Sequence, residues 1–284
     1  MAQPVPVRRV GIVGYGSLGQ YLADAVLQRP DQLELAFVWN RSIDKLKGKV
    51  PEAAILANLD EFESRKADLI VEVSHPDITH AYGARFLKAA DYMVGSPTVF
   101  ADSHLESQLR AIAMSADNTH GLYIPAGALW GGNDIQKMAD RNTLQSLTIT
   151  MKKHPLSFQL LGHLVELNNA ALNVQGESLL YDGPVRALCP LAPNNVNTMA
   201  AAALAGHNLG FDKVRGVLIA DPRLEGHIVE IELTGPGAAP SPFSVKTSRY
   251  NPAAPGAVTG NATYASFLSS MLRSNGQGKG VHLC

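Results

Sequence analysis

The chain has 284 residues, 46% of them hydrophobic, with 24 Lys and Arg against 25 Asp and Glu. This length allows a sizeable core, and the near-zero charge argues against a nucleic-acid or anionic-membrane partner. No segment approaches the ~20 continuous apolar residues of a membrane span, and Met1 to Val10 lacks the apolar run of a signal peptide. Cys189 and Cys284 are too few for a disulfide framework or a zinc signature, so we expect a cytoplasmic protein.

The first half of the chain alternates short apolar runs with amphipathic stretches, from Val7 to about Tyr123. This pattern predicts strands and helices that alternate around a mostly parallel sheet. The predicted strands cover residues 10–13, 33–39, 68–73, 92–94 and 122–124, and the predicted helices cover residues 18–27, 76–90 and 103–116. We therefore expect a doubly wound α/β domain over residues 1–125.

The second half of the chain has longer strands in which apolar and polar residues alternate. Leu147, Ile149 and Met151 share one face of such a strand, which indicates a sheet with one face in water. The alternation returns at residues 228–233 and 243–246, an alanine-rich helix is predicted over 197–209, and the Gly/Pro-rich stretches 235–242 and 251–260 are predicted loops.

This second pattern predicts a C-terminal α+β domain built on a mostly antiparallel sheet. We place this substrate-binding and catalytic domain at residues 126–260. Residues 261–284 are expected to form a closing helix and a tail that pack back on the first domain.

A glycine-rich turn, GYGSLG from Gly14 to Gly19, links the first predicted strand to the first predicted helix. In this context the first glycine permits a tight turn, the second admits a pyrophosphate and the third allows close helix packing, while the helix N-terminus offers free N–H groups. We predict a Rossmann dinucleotide site contacted by Gly14, Gly16, Ser17, Leu18 and Gly19. The alternative is a glycine-rich turn that holds no ligand.

The end of the second predicted strand bears on the choice between NAD and NADP. An acid usually stands ~20 residues beyond the glycines, but this chain has Asn40 and Arg41 there. No carboxylate would repel a 2′-phosphate and Arg41 could pair with one, so we expect NADP to be accepted at least as well as NAD. A solvated loop arginine explains Arg41 equally well. Ser74, after the strand 68–73, is expected to face the same crevice, although an ordinary turn also accounts for it.

Histidine is the natural candidate for the proton transfer that a dehydrogenase needs. The chain has no HExxH or GxSxG pattern and no activated cysteine, so metal and covalent acyl chemistry have no support. His227 begins an alternating strand on the same face as Val229 and Ile231, where it could look into the crevice between the domains. Taken alone, such a histidine is more often a structural residue.

Three motifs together resemble the L-aspartate dehydrogenase family, most closely its animal members. They are GALWG at 127–131, NVNTMAAAAL at 195–204 and ADPRLEGH at 220–227. The glycine turn is shared by many dehydrogenases, whereas this combination is far more specific. The resemblance covers nearly the whole chain.

The resemblance implies an enzyme that oxidises L-aspartate with NAD or NADP to iminoaspartate, which hydrolyses to oxaloacetate and ammonia. In microbial relatives the imine can instead feed NAD biosynthesis. His227 matches the family's active-site histidine, and Ala128 and Asn197 match positions that contact the cofactor. The strand end at residues 39–41 departs from many microbial members, which puts a strict NAD preference in doubt. With His227 as base, aspartate oxidation is expected to rise with pH through the histidine range.

Several alternatives stay open on sequence alone. The substrate carboxylates have five candidate donors, namely Lys152, Lys153, His154, Asn195 and Thr198. A reductase of another small dicarboxylate or imine, or a non-catalytic NAD(P)-binding sensor, would have the same fold. The second sheet has more apolar positions than one helix covers, which favours a homodimer, unless the closing helix covers them in a monomer.

Overall fold

Two β-sheets organise the chain, and the computed structural model describes residues 7–238, 240–258 and 261–284. The strands are β1 Arg8–Val13, β2 Leu33–Trp39, β3 Ile55–Leu56, β4 Leu69–Glu72, β5 Asp91–Val94, β6 Gly121–Ile124, β7 Ser146–Lys153, β8 Ser178–Pro184, β9 Arg215–Ala220, β10 Gly226–Thr234, β11 Ser244–Pro252 and β12 Gly280–Leu283. The α-helices are α1 Ser17–Leu27, α2 Pro76–Ala89, α3 Ser103–Met114, α4 Gly132–Asp140, α5 Leu164–Ala171, α6 Val185–Leu188, α7 Asn197–Ala205, α8 Gly210–Lys213 and α9 Asn261–Arg273. Short 3₁₀ helices cover Ile43–Lys45, Glu52–Ala54, Leu59–Arg65, Pro97–Ala101, Pro155–Ser157 and Cys189–Leu191. The first six residues, and Ala239, Thr259 and Gly260 of the predicted loops, lie outside the description.

The first sheet has the order β12-β6-β5-β4-β1-β2-β3 across the described residues, and all its pairs are parallel. Its central strands are apolar and buried on both faces, as helices on both sides of a parallel sheet require. The predicted α/β domain is confirmed. The strand order reverses between β1 and β4, and sheets of this kind bind ligands at such a point, beyond the carboxyl ends of the strands.

The C-terminal segment packs on the first sheet. In α9, Phe267, Leu268 and Met271 pack into the core cluster that also contains Tyr15 and Met93. β12 adds a parallel strand beside β6. The monomer alternative required the closing helix to cover the apolar face of the second sheet. Instead, α9 packs mainly on the first sheet.

The second sheet has the order β11-β10-β7-β9-β8 and is mixed. β10 is antiparallel to both β11 and β7, and β8 is antiparallel to β9, but β7 and β9 are parallel. The prediction of a mostly antiparallel sheet is thus not confirmed in that form. The parallel pair arises because the chain passes through β8 and the helices α6 to α8 before β9 returns beside β7, and a crossover of this length joins parallel strands.

The predicted face alternation of the second sheet is confirmed. Leu147, Ile149 and Met151 of β7 are at most 4% exposed and share one core with α7. α7 is buried along Thr198–Ala205 because it lies between this sheet and the 3₁₀ helix Pro97–Ala101 of the first domain. It ends at Ala205, earlier than predicted, and β11 extends to Pro252, into the stretch predicted as a loop. None of the helices within the described residues has the length and apolar character needed to cross a bilayer.

Candidate active site

The turn between β1 and α1 has a conformation and a closeness of packing that only glycine allows. Gly14 has φ +113°, and a Cβ on it would stand 2.8 Å from the Cβ of Ser74. A Cβ on Gly19 would stand 2.1 Å from the carbonyl oxygen of Gly14. These two glycines therefore let α1 begin directly against the turn.

Gly16 is different, because a Cβ there would meet no protein atom within 4 Å. It stands immediately before α1, whose first turn has no acidic residue and starts with the exposed Ser17. Internal packing thus does not explain a glycine at this position. Open space in front of free helix N–H groups fits a bound pyrophosphate, whose place a side chain would occupy.

Asn40 and Arg41 lie at the end of β2, next to this turn. Asn40 Oδ1 accepts a hydrogen bond from the Tyr15 N–H at 3.2 Å, and its Nδ2 donates to the Ser42 carbonyl at 2.9 Å. Asn40 therefore holds the glycine turn against β2. The side chain of Arg41 is exposed.

Glu72, at the carboxyl end of β4, is a site residue that the sequence reading missed. Its side chain is 0% exposed. Oε1 accepts from the Ser74 N–H at 2.6 Å and from Ser74 Oγ at 3.2 Å, and Oε2 accepts from the Ser96 N–H at 3.2 Å. One carboxylate thus holds the two turns that follow β4 and β5. Burial raises the pKa of Glu72 to about 7, although these hydrogen bonds act in the opposite direction.

A cavity lies between the first sheet and the second sheet. The first domain contributes Leu18, Gly95, Pro97 and the turn at 125–128. The second domain contributes polar side chains, among them Lys153, Asn197, Thr198, His227 and Asn251. The cavity therefore joins the glycine turn to the polar end of the second sheet.

Three of these polar side chains form a row across β7, β10 and β11. In the antiparallel pair β10–β11, His227 lies opposite Asn251. In the antiparallel pair β10–β7, Ile228 lies opposite Lys152, so the next positions bring Lys153 opposite His227. Lys153, His227 and Asn251 are 3%, 6% and 6% exposed. Side chains directly opposite each other have Cβ atoms about 5 Å apart, so one small ligand can reach the whole row.

Two polar atoms of the cavity have no hydrogen-bond partner among the described residues. They are Nε2 of His227 and Oδ1 of Asn197, both buried. Leaving a buried polar atom unpaired costs about 1–3 kcal/mol, and native proteins rarely do so without a reason. A ligand in the cavity would supply the missing donors.

The two basic side chains of the row have displaced pKa values. Burial and the charge of Lys153 lower the pKa of His227 to about 4, while a hydrogen bond with the backbone of Ala257 acts in the opposite direction. Burial lowers the pKa of Lys153 to about 8. The imidazole is therefore neutral at physiological pH and able to accept a proton, and its titration lies at more acidic pH than the sequence alone predicts.

The structure brings only some of the predicted residues together. Leu18, Ala128, Asn197 and His227 line the cavity. The remaining predicted cofactor residues belong to the glycine turn or to the turns after β2 and β4, outside this lining, and they are Gly14, Gly16, Ser17, Gly19, Asn40, Arg41 and Ser74.

The five candidate carboxylate donors also separate. Lys152 is on the outer face of the sheet with Glu177 and Glu230. Asn195 accepts from the Gln159 N–H and donates to the Ser157 carbonyl, so its amide serves the fold. Lys153, Thr198 and Asn195 line the cavity, and of these Asn195 already has protein partners for its amide. His154 accepts the Leu156 N–H and does not line the cavity.

Comparisons with known proteins agree with this geometry. Residues 134–270 match the family profile "Aspartate dehydrogenase, C-terminal", and residues 14–124 match "Homoserine dehydrogenase, NAD binding domain". An aspartate dehydrogenase domain-containing protein of Xenopus tropicalis is 53% identical over 97% of this chain and 98% of its own length. The chain belongs to the aspartate dehydrogenase family. An L-aspartate dehydrogenase of Methanococcoides burtonii is 29% identical over 84% of this chain and 91% of its own length.

A solved member of the aspartate dehydrogenases shares the fold. The crystal structure of aspartate dehydrogenase from Thermotoga maritima has a TM-score of 0.68 and 18% identity, covering 95% of this chain and 97% of that one. The protein is accordingly an oxidoreductase of this family, with an NAD-binding Rossmann domain and NAD or NADP as cofactor. Among the described residues no cluster of His, Cys, Asp and Glu has the arrangement of a metal site.

The buried carboxylate of Glu72 gives a prediction about cofactor affinity. Glu72→Gln should weaken NADP binding about tenfold, because the amide NH₂ cannot accept a backbone N–H and one of the two turns loses its anchor. The pKa of Glu72 rises from its ordinary value of 4.5 to about 7 in the folded protein. The folded state therefore holds this proton more tightly than the unfolded state, and the free energy of unfolding of the wild type falls as the pH rises from 4.5 through 7. The Gln side chain does not titrate, so the variant has no such fall in its free energy of unfolding, and near pH 8 it should be at least as stable as wild type. Calorimetric titration with NADP and urea unfolding measure the two effects.

Glu232→Gln is the matched control, because the Glu232 side chain is 52% exposed and its ion-pair partner among the described residues is Lys246 on the outer face. It should change neither NADP affinity nor stability by more than about 0.5 kcal/mol. A less stable Glu72→Gln protein with unchanged NADP affinity would mean that Glu72 serves folding alone.

Proposed function

We propose that this protein oxidises L-aspartate with NAD or NADP to iminoaspartate, which water converts to oxaloacetate and ammonia. The main support is one observation: His227 Nε2 and Asn197 Oδ1, which are buried and have no hydrogen-bond partner in the described part of the chain, line a cavity that also reaches Leu18 of the glycine turn. Both residues match positions of the family resemblance. Membership of the aspartate dehydrogenase family favours this reaction over a reductase of another substrate or a non-catalytic sensor.

Three parts of the chain would hold the cofactor. The turn from Gly14 to Gly19 and the N-terminus of α1 offer N–H groups to the pyrophosphate. Ala128 belongs to a turn whose Gly127 carbonyl accepts from Ser266 Oγ of α9 at 2.9 Å, which fixes that wall of the cavity. Asn197 offers an acceptor at the first residue of α7. The bound dinucleotide supplies the hydride acceptor.

His227 moves the proton in this proposal. Its neutral Nε2 takes a proton from the substrate ammonium, so that the nitrogen lone pair can form the C=N bond as the Cα hydrogen leaves with its electron pair. After the imidazolium releases this proton to solvent, the neutral imidazole can activate the water that attacks the imine carbon. Burial in a cavity closed by both domains limits bulk water around these steps.

The decisive experiment is the initial rate of NADH or NADPH formation with L-aspartate. Wild-type protein should turn over, and His227→Asn should lower kcat about 10²- to 10⁴-fold, the usual contribution of a general base. Because the pKa of His227 in the free protein is lowered to about 4, the imidazole should add no titration step of its own to kcat/KM between about pH 6 and pH 9.

His154→Asn is the matched histidine control. His154 does not line the cavity, and Asn can still accept the Leu156 N–H in its place. Its kcat should stay within about twofold of wild type. Normal turnover by His227→Asn would remove the imidazole from the reaction, and NADP binding without turnover on aspartate would favour the sensor.

Arg41 provides a test of cofactor choice. We propose that its exposed guanidinium pairs with the 2′-phosphate of NADP. The position that usually holds a ribose-binding acid is occupied here by Asn40, whose side chain already hydrogen-bonds to Tyr15 and Ser42. Arg41→Ala should lower kcat/KM with NADP about 10- to 100-fold and leave the NAD value nearly unchanged. The NAD rate is the internal control. An unchanged NADP-to-NAD ratio would make Arg41 a solvated loop residue.

We also propose that the protein is a cytoplasmic homodimer. Both cysteines are free thiols, as a reducing compartment favours. The segment 156–179 exposes several large apolar side chains, with Leu156, Leu161 and Leu179 at 58%, 53% and 60%. Monomers seldom expose such patches, and a second copy burying the same segment would form a twofold interface.

Light scattering tests this assembly. Wild-type protein should show about twice the chain mass of 30.3 kDa. The double variant Leu161→Lys, Leu179→Lys should shift it to the single-chain mass, because desolvating the new charges opposes association. Met114→Lys, on α3 of the first domain and 62% exposed, should leave it dimeric. A wild-type mass of one chain would contradict the proposal.

A further inference from the structure

Lys153 is a buried cation with no acidic partner. It is 3% exposed, and its Nζ donates to the Val258 carbonyl at 3.1 Å and lies 5.7 Å from the centre of the Phe158 ring. No described Asp or Glu forms an ion pair with it, and the residues outside the description include no acid. An ammonium group kept out of water without an anion is costly, so a chain retains one where something else supplies the anion.

The neighbouring Lys152 shows how this chain treats an ordinary lysine. Its Nζ lies 2.8 Å from Glu177 and 3.7 Å from Glu230, on the outer face of the second sheet. Alternation along β7 turns the next side chain inward, so Lys153 lines the cavity. The two adjacent lysines thus differ in their surroundings: Lys152 is paired with glutamates of the protein, and Lys153 faces the cavity.

The cavity supplies the rest of an anion site. Lys153 stands opposite His227 in the strand register, and Thr198 and Asn251 line the same space. No described acidic side chain lines this cavity. We propose that Lys153 binds a carboxylate of the substrate and thereby selects small dicarboxylates. The identity of the substrate rests on the proposed function, but dicarboxylate binding through Lys153 does not require turnover.

Calorimetric titration of the NADP-saturated protein with succinate, a dicarboxylate without an amine, tests this role. The stoichiometry of the preceding NADP titration gives the folded fraction of each variant, so every succinate Kd refers to folded protein. Lys153→Met should weaken succinate binding roughly 10- to 150-fold, the range for losing a charged hydrogen bond, with NADP affinity unchanged. Lys152→Met, the same change one residue away, should leave both affinities unchanged.

The outcomes separate this inference from the proposed function. Unchanged succinate affinity in Lys153→Met, or no succinate binding by wild type, would overturn the role of Lys153 even if aspartate is oxidised. Succinate binding that depends on Lys153 in a protein without aspartate turnover would support the inference and contradict the proposed reaction. If Lys153→Met does not fold, Lys153→Gln is titrated instead, with the same expected loss of charge-assisted binding and the same contradiction if succinate affinity persists.

Discussion

The site depends on the alternation of side chains along the strands of the second sheet. The inward positions of β7 and β10 are apolar from Leu147 to Met151 and from Leu233 to Val229, and they become polar at the next inward positions, Lys153 and His227. Since the period is two, these polar groups must be buried with the apolar ones. Buried polar groups need partners, and within the described residues His227 Nε2 has no hydrogen-bond partner and Lys153 has no acidic one. These incompletely paired groups line the cavity and are therefore available to bind a ligand.

The first domain completes the site because the two sheets share one core. A single cluster of buried residues runs from Phe37 in β2 through Leu129 to Val229 in β10, and α7 is buried between the domains. Thr98 Oγ1 also donates to the Pro193 carbonyl across this boundary at 3.1 Å. Continuous packing of this kind resists relative movement of the domains. The glycine turn and the polar row are therefore held in fixed positions on opposite sides of the cavity.

Sequence reasoning predicted the parts of this arrangement that depend on periodicity. The parallel strands of the first domain, the inward face of β10 and the proline at the start of α2 all follow from local patterns. It did not predict Glu72, because one acid at the end of an apolar strand looks like an ordinary strand end, and its partner Ser96 is 24 residues further along the chain. Alternation along β7 puts Lys153 on the apolar face and Lys152 on the other, but it could not show that Lys153 lines a cavity, because that depends on how the first domain packs against the end of β7. The mixed order of the second sheet depends on long-range pairing, for which local sequence holds no signal.

The displaced pKa values give the site a specific electrostatic character. Burial and the charge of Lys153 together lower the pKa of His227 to about 4, which is too low for an efficient base near neutral pH. A carboxylate bound at Lys153 would compensate that charge, which removes one of the two causes of the low pKa and raises the basicity of Nε2. Substrate binding would then also increase the proton affinity of the group that must take the substrate proton. If the proposed reaction holds, a dicarboxylate should be oxidised faster than an amino acid with a neutral side chain, because its second carboxylate both adds affinity and raises the basicity of His227.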